Sequence, residues 1–248
     1  MNAQIAEILG AFIGDGWIEK RGTALYITGD STEDKPYYDF ILAPMFSRVF
    51  TKVLPRHFPY WQVYGLVTYK QEVILKAKAL GFQDGKKVRL AKIPDDILSS
   101  GNKKVMAAVL RGIFDTDGSF FCGRARGKQD CEWRKKHHCC ARIEIKVVSK
   151  VLIDNIKRAS EYLGIRSPPI KTTKAEFRNN KNNSEAYSFV VNRKESIKKW
   201  FELVKPHNPK HLTKYQIWKK FGFIPPYTKL RDRRAILNGE LNPEEYYK

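Results

Sequence analysis

The sequence has few acidic residues and no long apolar run. It contains 26 Asp and Glu against 46 Lys and Arg in 248 residues, which gives a formal net charge of +20. No apolar stretch approaches the ~20 residues that a membrane-spanning helix needs. The N-terminus, Met1-Asn2-Ala3-Gln4, lacks the basic and apolar regions of a signal peptide. We therefore expect a soluble, intracellular protein without a targeting signal, which is cytoplasmic in a prokaryote, with an organelle as the alternative location.

The large positive charge indicates an anionic partner. A net charge this far from zero opposes folding through self-repulsion, so it usually has an external use. Nucleic acid is the first candidate and an anionic membrane surface is the second. Hydrophobic residues make up 42% of the chain, enough for a packed core, so global disorder is not expected.

Cysteine is also scarce, and all four cysteines fall in one stretch next to two histidines. The stretch contains Cys122, Cys131, His137, His138, Cys139 and Cys140. The spacing matches no C-x-x-C pair of a standard zinc site. Reduced thiols are the favoured interpretation, and a disulfide or a bound zinc ion remains open.

What the sequence does contain is a repeat. Residues 8–16 are ILGAFIGDG and residues 110–118 are LRGIFDTDG. Gly10, Asp15 and Gly16 correspond to residues 112, 117 and 118, each pair 102 positions apart. A repeated apolar helix that ends in Asp-Gly predicts two copies of one domain with a carboxylate at the end of each helix.

The order of elements repeats as well. Hydrophobic periodicity predicts helix, two strands, helix, two strands, helix in each half of the chain. In the first half it predicts a helix from Tyr37 to Leu54 and a hairpin from Tyr60 to Lys70 with its turn near Gly65. The expected organisation is a first half at 1–82, a linker at 83–101, a second half at 102–212 and a basic, aromatic extension at 213–248.

The predicted strands have one apolar and one polar face. Arg142, Glu144 and Lys146 alternate with Ile143, Ile145 and Val147. Such a sheet packs helices on one side and leaves the other side open. Because the chain is strongly basic, we expect the open side to contact nucleic acid, since a curved sheet can enter the major groove.

The repeated motif also predicts a metal site. Gly10 and Gly14 lie on one face of a helix, as Gly112 and Thr116 do in the second copy, and small residues let two helices approach closely. If the helices pair, the two aspartates meet at adjacent helix C-termini. Two close carboxylates need a neutralising cation, and their oxygens suit Mg²⁺. This arrangement favours metal-assisted phosphodiester hydrolysis.

The two nonapeptides resemble the LAGLIDADG motif, and residues 4–210 resemble a two-repeat LAGLIDADG homing endonuclease. The resemblance implies an α+β fold of two pseudo-symmetric αββαββα half-domains, in which two antiparallel four-stranded sheets form a saddle over DNA. It implies a monomer that cuts both strands of a long, nearly palindromic site in the minor groove and leaves 3′ overhangs. Mg²⁺ is the implied cofactor, and Mn²⁺ or Ca²⁺ can substitute in binding.

The resemblance assigns roles to individual residues. In the family, the acidic residue before the last glycine binds metal, which implies Asp15 and Asp117 as ligands, with the carbonyls of Gly14 and Thr116 as further ligands. The first copy has Ile13 where the second has Asp115, a position that does not bind metal.

A basic residue near the scissile phosphate is also implied in each half. We assign it to Lys92 in the first half, with Lys87 and Arg89 as alternatives. In the second half we assign it to Lys210, with Lys214 as the alternative. The pattern gives no catalytic role to the end of the second strand in either half.

The open sheet faces and their ends supply the expected DNA contacts. These are Lys20, Thr28, Gln62, Lys70, Arg124, Arg126, Arg142, Lys146, Lys171, Lys174 and Asn192. The termini carry none of the splicing residues of an intein, so the chain resembles freestanding, intron-encoded members. Two alternatives stay open: an RNA maturase that assists splicing of its host intron, and a DNA-binding regulator without catalysis.

Overall fold

A computed structural model describes residues 1–84, 89–124, 137–175 and 184–247 of the chain. The first half begins with helix α1, where the Asn2 side chain accepts the Ile5 N–H at 2.9 Å and so caps the helix N-terminus. Its elements are α1 (Ala3–Asp15), β1 (Gly16–Ile18), β2 (Leu25–Asp30), α2 (Lys35–Tyr37), a π-helical turn (Tyr38–Leu42), α3 (Ala43–Val49), β3 (Arg56–Phe58), β4 (Val63–Thr68) and α4 (Gln71–Ala79).

A connector with a short helix, α5 (Asp95–Ser99), leads to the second half. Asn102 caps the next helix by accepting the Lys104 and Val105 N–H groups. The elements are α6 (Lys103–Asp117), β5 (Gly118–Gly123), β6 (Cys140–Val147), α7 (Lys150–Tyr162), β7 (Lys171–Ala175), β8 (Ser184–Val191) and α8 (Lys194–Leu203). The extension adds α9 (Pro209–Phe221), α10 (Leu230–Asn238) and a 3₁₀ helix (Pro243–Tyr247).

The two halves contain the same sheet. The strand orders are β1-β2-β4-β3 and β5-β6-β8-β7, and every described pair is antiparallel. One face of each sheet is buried by helices, through residues such as Leu25 and Ile27 in β2 and Ile143 and Ile145 in β6, all at 0% exposure. The α+β fold with two four-stranded antiparallel sheets confirms the sequence prediction.

Helices α1 and α6 pack backbone to backbone at the centre of the molecule. A Cβ on Gly10 would lie 2.2 Å from the Val109 carbonyl oxygen, and a Cβ on Gly112 would lie 2.1 Å from the Glu7 carbonyl oxygen. Because residues 109 and 7 correspond in the repeat, the contacts are reciprocal, as a twofold relation between the copies requires. The close approach therefore depends on glycine at both positions.

One local expectation was wrong. The second hairpin turns at residues 59–62, and Gly65 lies inside β4, where a Cβ would meet the Ile27 carbonyl oxygen of β2 at 2.2 Å. Helix α1 ends at Asp15, and Gly16 follows it with an extended backbone (φ −97°). A Cβ on Gly16 would collide with Phe12, at 2.3 Å from its ring. Among the described residues, no helix has the length and apolarity to cross a membrane.

Candidate functional site

The two motif aspartates end helices that touch each other. Asp15 is the last residue of α1 and Asp117 is the last residue of α6. One residue earlier, a Cβ on Gly14 would lie 2.1 Å from the Thr116 hydroxyl oxygen and 3.4 Å from the Asp117 backbone nitrogen. Asp15 is half-buried and Asp117 is exposed. The helix ends therefore converge, and their carboxylates remain accessible from solvent.

The charges of both motif aspartates affect the buried hydroxyl of Tyr38. Burial raises the pKa of Tyr38 well above its usual value, and the charges of Asp15, Asp34 and Asp117 raise it further. The Tyr38 side chain is 0% exposed. Asp15 therefore lies near the Tyr38 hydroxyl, and the ends of α1 and α6 touch, whereas a metal shared by Asp15 and Asp117 stays a prediction.

A third carboxylate lies beside Asp15. A Cβ on Gly29 would lie 3.0 Å from an oxygen of Asp15, 3.0 Å from an oxygen of Asp34 and 3.1 Å from the Tyr38 hydroxyl. The missing side chain at the end of β2 thus leaves room for these polar groups. Sequence reasoning assigned no role to this position, and its contribution is space rather than a reacting group.

The lysines proposed from sequence have different surroundings. The Lys210 ammonium lies 2.8 Å from Asp34, which is buried, and Lys210 itself is mostly covered. The Lys92 ammonium instead lies 3.0 Å from the exposed carboxylate of Asp95. Lys210 therefore reaches the group of carboxylates that includes Asp15, whereas Lys92 is paired at the surface. Whether either takes part in a reaction stays a prediction.

The alternative lysines can be placed in part. Burial, and then the positive charge of Arg233, lowers the pKa of Lys214 to about 8. Lys214 follows Lys210 by one helical turn of α9, so the two face the same side. Arg89 lies in the connector, and Lys87 falls outside the described residues.

The donor groups fit a hard divalent cation. Asp15 and Asp117 offer carboxylate oxygens at helix C-termini, where the helix dipole is negative and the last carbonyls point outward. Oxygen ligands of this kind suit Mg²⁺, Mn²⁺ or Ca²⁺ better than softer metals. Participation of the Gly14 and Thr116 carbonyls stays a prediction.

Within the described residues, a second group could also hold a metal ion. It consists of Glu7, Asp115 and His207, whose potential metal-binding atoms all lie within 4.8 Å of one another. These groups already bind each other and Arg111. The Glu7 carboxylate lies 2.6 Å from the guanidinium of Arg111 and 2.7 Å from His207 Nδ1, and the His207 backbone N–H donates to Asp115 at 2.8 Å. Burial raises the pKa of Asp115 to about 7. We interpret this trio as a set of contacts that holds the segment after α8 against the two motif helices, and not as the metal centre.

The open face of the second sheet is basic. The register aligns Lys146 of β6 with Ser188 of β8 and Lys171 of β7, and both lysines are exposed. Arg142 is exposed on the same face, with its guanidinium 4.5 Å from the centre of the Phe121 ring. Arg124 and Asn192 lie exposed just beyond β5 and β8. All five side chains are thus exposed, and their contact with nucleic acid stays a prediction.

The open face of the first sheet is aromatic rather than basic. Trp17 and Tyr26 stack with ring centroids 4.6 Å apart, and Trp61 meets both rings edge-on at 5.5 Å and 5.7 Å. Phe58 stacks on Trp61 at 6.0 Å, and Tyr69 is 57% exposed. Lys20, Gln62 and Lys70 are exposed at the ends of the strands around this aromatic surface. The two sheets therefore present different chemistry.

Three of the predicted DNA contacts are covered or fall outside the described residues. Thr28 is only 6% exposed, because a short side chain on a central strand lies below its larger neighbours. The side chain of Lys174 lies outside the described part of the structure. Arg126 lies outside the described residues.

The cysteine and histidine stretch joins the second sheet to the end of the chain. His137 Nε2 lies 2.8 Å from the Glu244 carboxylate, and the His138 N–H donates to the Tyr247 hydroxyl at 3.1 Å. Burial raises the pKa of the Cys122 thiol, and the nearby Cys139 and Cys140 thiols raise it further. Cys131 lies outside the described residues, and zinc binding by this stretch stays a prediction.

Sequence reasoning missed the residues that join the extension to the site. Asn208 donates to Asp34 at 2.7 Å and to the Asp115 carbonyl at 2.8 Å. Asp34 precedes the predicted second helix, a weak helix-start signal, but its partner is 174 residues away in the chain. No local pattern can pair residues that far apart.

Known proteins share this fold. Residues 104–205 match the family model described as the LAGLIDADG-like domain. The meganuclease I-SmaMI bound to uncleaveable DNA is similar with a TM-score of 0.54 and 13% identity, covering 95% of this chain and 96% of that one. The homing endonuclease I-DmoI in complex with DNA and Mn gives a TM-score of 0.51 and 15% identity, covering 83% and 98%.

Full-length DUF199/WhiA from Thermotoga maritima is also similar, with a TM-score of 0.50 and 11% identity, covering 96% of this chain and 66% of that one. No curated protein matches the sequence at a significant level. At these identities the solved structures show the fold alone. Residues 104–205 thus match the LAGLIDADG-like domain, and the two sheets with the same strand order give the chain the fold of the LAGLIDADG homing endonucleases.

Proposed function

We propose that the chain is a monomeric, sequence-specific DNA endonuclease that hydrolyses one phosphodiester bond in each strand of a long, nearly palindromic site and leaves 3′ overhangs. The convergence of Asp15 and Asp117 at touching helix ends carries this proposal. The similar I-SmaMI and I-DmoI structures, which contain DNA, support it.

The two open sheet faces are proposed to bind duplex DNA. The row of basic side chains on the second sheet supplies phosphate contacts and hence salt-dependent affinity. Sequence is distinguished by side chains that reach base edges in the major groove. Rings such as Trp61 on the first sheet favour apolar contact, for which the thymine methyl group is the matching partner.

Asp15 and Asp117 are proposed to hold divalent cations, Mg²⁺ in the cell. A bound cation supplies a Lewis acid that stabilises negative charge on the phosphate. Lys210 keeps a positive charge beside Asp15 through its ion pair with Asp34. Gly10 and Gly112 keep the two helix ends together, so that the carboxylates meet.

The test is cleavage of a randomised duplex library by the purified chain with Mg²⁺, followed by sequencing of the cut ends. We expect one family of sites, cut in both strands, and no cutting when a chelator removes the metal. Asp15→Asn and Asp117→Asn should abolish cutting. Asp96→Asn, an exposed aspartate in α5, is the matched control and should cut normally.

Two other outcomes would replace this proposal. Binding to a selected DNA site without Mg²⁺-dependent cutting would favour a DNA-binding regulator. Binding to folded intron RNA without DNA cleavage would favour a maturase. Both alternatives use the basic surface but do not need the two carboxylates.

A further inference from the structure

A polar cavity lies between the end of α7, the loop that follows it and the start of α8. Its volume is about 580 Å³, within the range of about 300–1,000 Å³ that is usual for small-molecule sites. The lining of this α7–α8 cavity includes Glu161, Gly164, Arg166, Ser167, Arg193 and Lys199. Both helices pack their apolar residues on the buried face of the second sheet, so the cavity is separate from the open face that is proposed to bind DNA.

The lining of the α7–α8 cavity carries three basic side chains. Arg166, Arg193 and Lys199 are exposed, and among the described residues none of these side chains takes part in an ion pair or a hydrogen bond. The acidic residue of the lining, Glu161, is already paired with Lys157 at 3.8 Å. Positive charge therefore exceeds negative charge around the cavity, and the three basic groups have donors available for an anion.

Two small residues complete the lining. The Ser167 hydroxyl oxygen is buried and has no hydrogen-bond partner among the described residues. A buried polar group in this state costs stability until a ligand or a water satisfies it. Gly164 follows α7 with a left-handed backbone (φ 73°), and a Cβ there would lie 2.8 Å from the Lys199 ammonium. The missing side chain therefore leaves room for this ammonium beside the cavity.

These donors match a phosphate group better than a carboxylate. The planar guanidinium of arginine binds two oxygens of a phosphate at once, and the lysine ammonium adds a compact charge. A phosphate monoester carries about −1.5 to −2 charge at pH 7 and offers three acceptor oxygens. A carboxylate carries a single charge on two oxygens. Three basic groups against one acidic group thus suit the monoester, and a serine hydroxyl can donate to it as well.

We propose that the α7–α8 cavity is a second anion site, which binds a phosphate group through Arg166, Arg193, Lys199 and the Ser167 hydroxyl. The phosphate comes either from a free phosphate monoester or from the backbone of DNA that continues past the recognised site. The cavity shares no residue with the proposed metal site, so it binds its ligand without taking part in hydrolysis.

The experiment is a phosphorus NMR titration of the full chain with inorganic phosphate in about 0.3 M NaCl, where contacts to scattered surface charges are screened. The cavity variant combines Arg193→Gln with Lys199→Gln. The control variant combines Lys194→Gln with Lys198→Gln, which removes the same charge from exposed positions of the same helix. We expect the cavity variant to bind phosphate at least about tenfold more weakly, because it loses two charged donors. The control should stay within about twofold of the wild type.

Ser167→Ala is a second variant, which leaves the charge of the chain unchanged. Because the hydroxyl has no partner among the described residues, its loss should not lower the free energy of unfolding, as measured with urea. It should weaken phosphate binding by about threefold to tenfold. A merely structural serine would change the stability and leave the affinity for phosphate as it is.

A second titration separates the two sources of the phosphate. It measures the affinity for a duplex with and without flanks of about one helical turn on each side. If the DNA backbone is the source, the flanks should raise the affinity of the wild type and the control but not that of the cavity variant. If a free monoester is the source, the flanks should affect all three proteins equally, and the phosphate titration alone should separate them.

Equal phosphate affinity in the cavity variant and the control, together with equal effects of the flanks, would overturn the inference. The phosphate titration contains no DNA, so its result does not depend on whether the chain cuts DNA. A chain that binds phosphate in this cavity but cuts no duplex would refute the proposed function and leave the inference standing.

Discussion

Substitution of Gly10 by alanine tests whether the motif helices touch at their backbones. Alanine is the better helix former, by about 1 kcal/mol, so an open helix position would gain stability. Here the added Cβ would lie 2.2 Å from the Val109 carbonyl oxygen, whereas a carbon normally approaches such an oxygen to about 3.3–3.6 Å. The obstacle is helix backbone, which cannot rotate away as a side chain can.

The helices must therefore separate by about 1 Å or the carbonyl must tilt. Overpacking of a close-packed contact costs about 1–3 kcal/mol and occasionally more. Because the propensity gain of about 1 kcal/mol offsets part of this cost, we expect Gly10→Ala to lower the free energy of unfolding by about 1–2 kcal/mol. Gly112→Ala meets the Glu7 carbonyl oxygen at 2.1 Å and should cost about the same.

The assay is urea unfolding followed by circular dichroism, in which a lower midpoint with an unchanged slope reports lost stability. Gly123→Ala is the control, since a Cβ there meets only the end of the Arg142 side chain at 3.4 Å. If Gly10→Ala is as stable as the wild type, or more stable, the helices do not pack as described. Unequal effects at Gly10 and Gly112 would contradict the reciprocal contact.

Further predictions concern one buried lysine and the aromatic sheet. Lys214 has a folded pKa of about 8 against its ordinary 10.5, so its charged form costs stability below pH 8 and the cost falls as the pH rises to 10.5. Lys214→Met should therefore be more stable than the wild type by about 1–3 kcal/mol at pH 7, with no advantage near pH 10.5. Urea unfolding of both proteins between pH 7 and pH 10.5 measures this difference in stability. A difference that does not change with pH would refute the prediction. Replacing thymine by uracil in the half-site under the first sheet should weaken DNA binding by about 1 kcal/mol per contacted methyl group, as measured by fluorescence titration. Trp61→Ala should remove this sensitivity to the methyl group. Equal losses of affinity in both half-sites would contradict the prediction.

Much of the fold could be predicted because its signals are local and occur twice. Helices α1 and α6 have apolar periodicity and end at Asp-Gly, and β6 has strict alternation. Gly65 was misplaced because a glycine inside a strand and a glycine in a turn look alike in sequence. The structure separates them by the 2.2 Å approach to the Ile27 carbonyl oxygen.

The candidate site was predictable only where the repeat marks it. Asp15 and Asp117 stand at matched positions, so the duplication itself indicates that they meet. Asp34 could not be found, because its partners Asn208 and Lys210 lie far along the chain. Sequence alone also suggested a basic face for both sheets. Overall charge does not tell which strand carries the aromatic residues and which carries the lysines.

The central claim is that Asp15 and Asp117 act together in one metal-dependent centre. The most direct measurement is the rate of cutting of each strand of the selected site with Mg²⁺, for the wild type, Asp15→Asn, Asp117→Asn and the Asp96→Asn control. The account predicts that either substitution in the pair abolishes double-strand cleavage while DNA binding persists. Mg²⁺-dependent cutting of both strands by Asp15→Asn or by Asp117→Asn would contradict it.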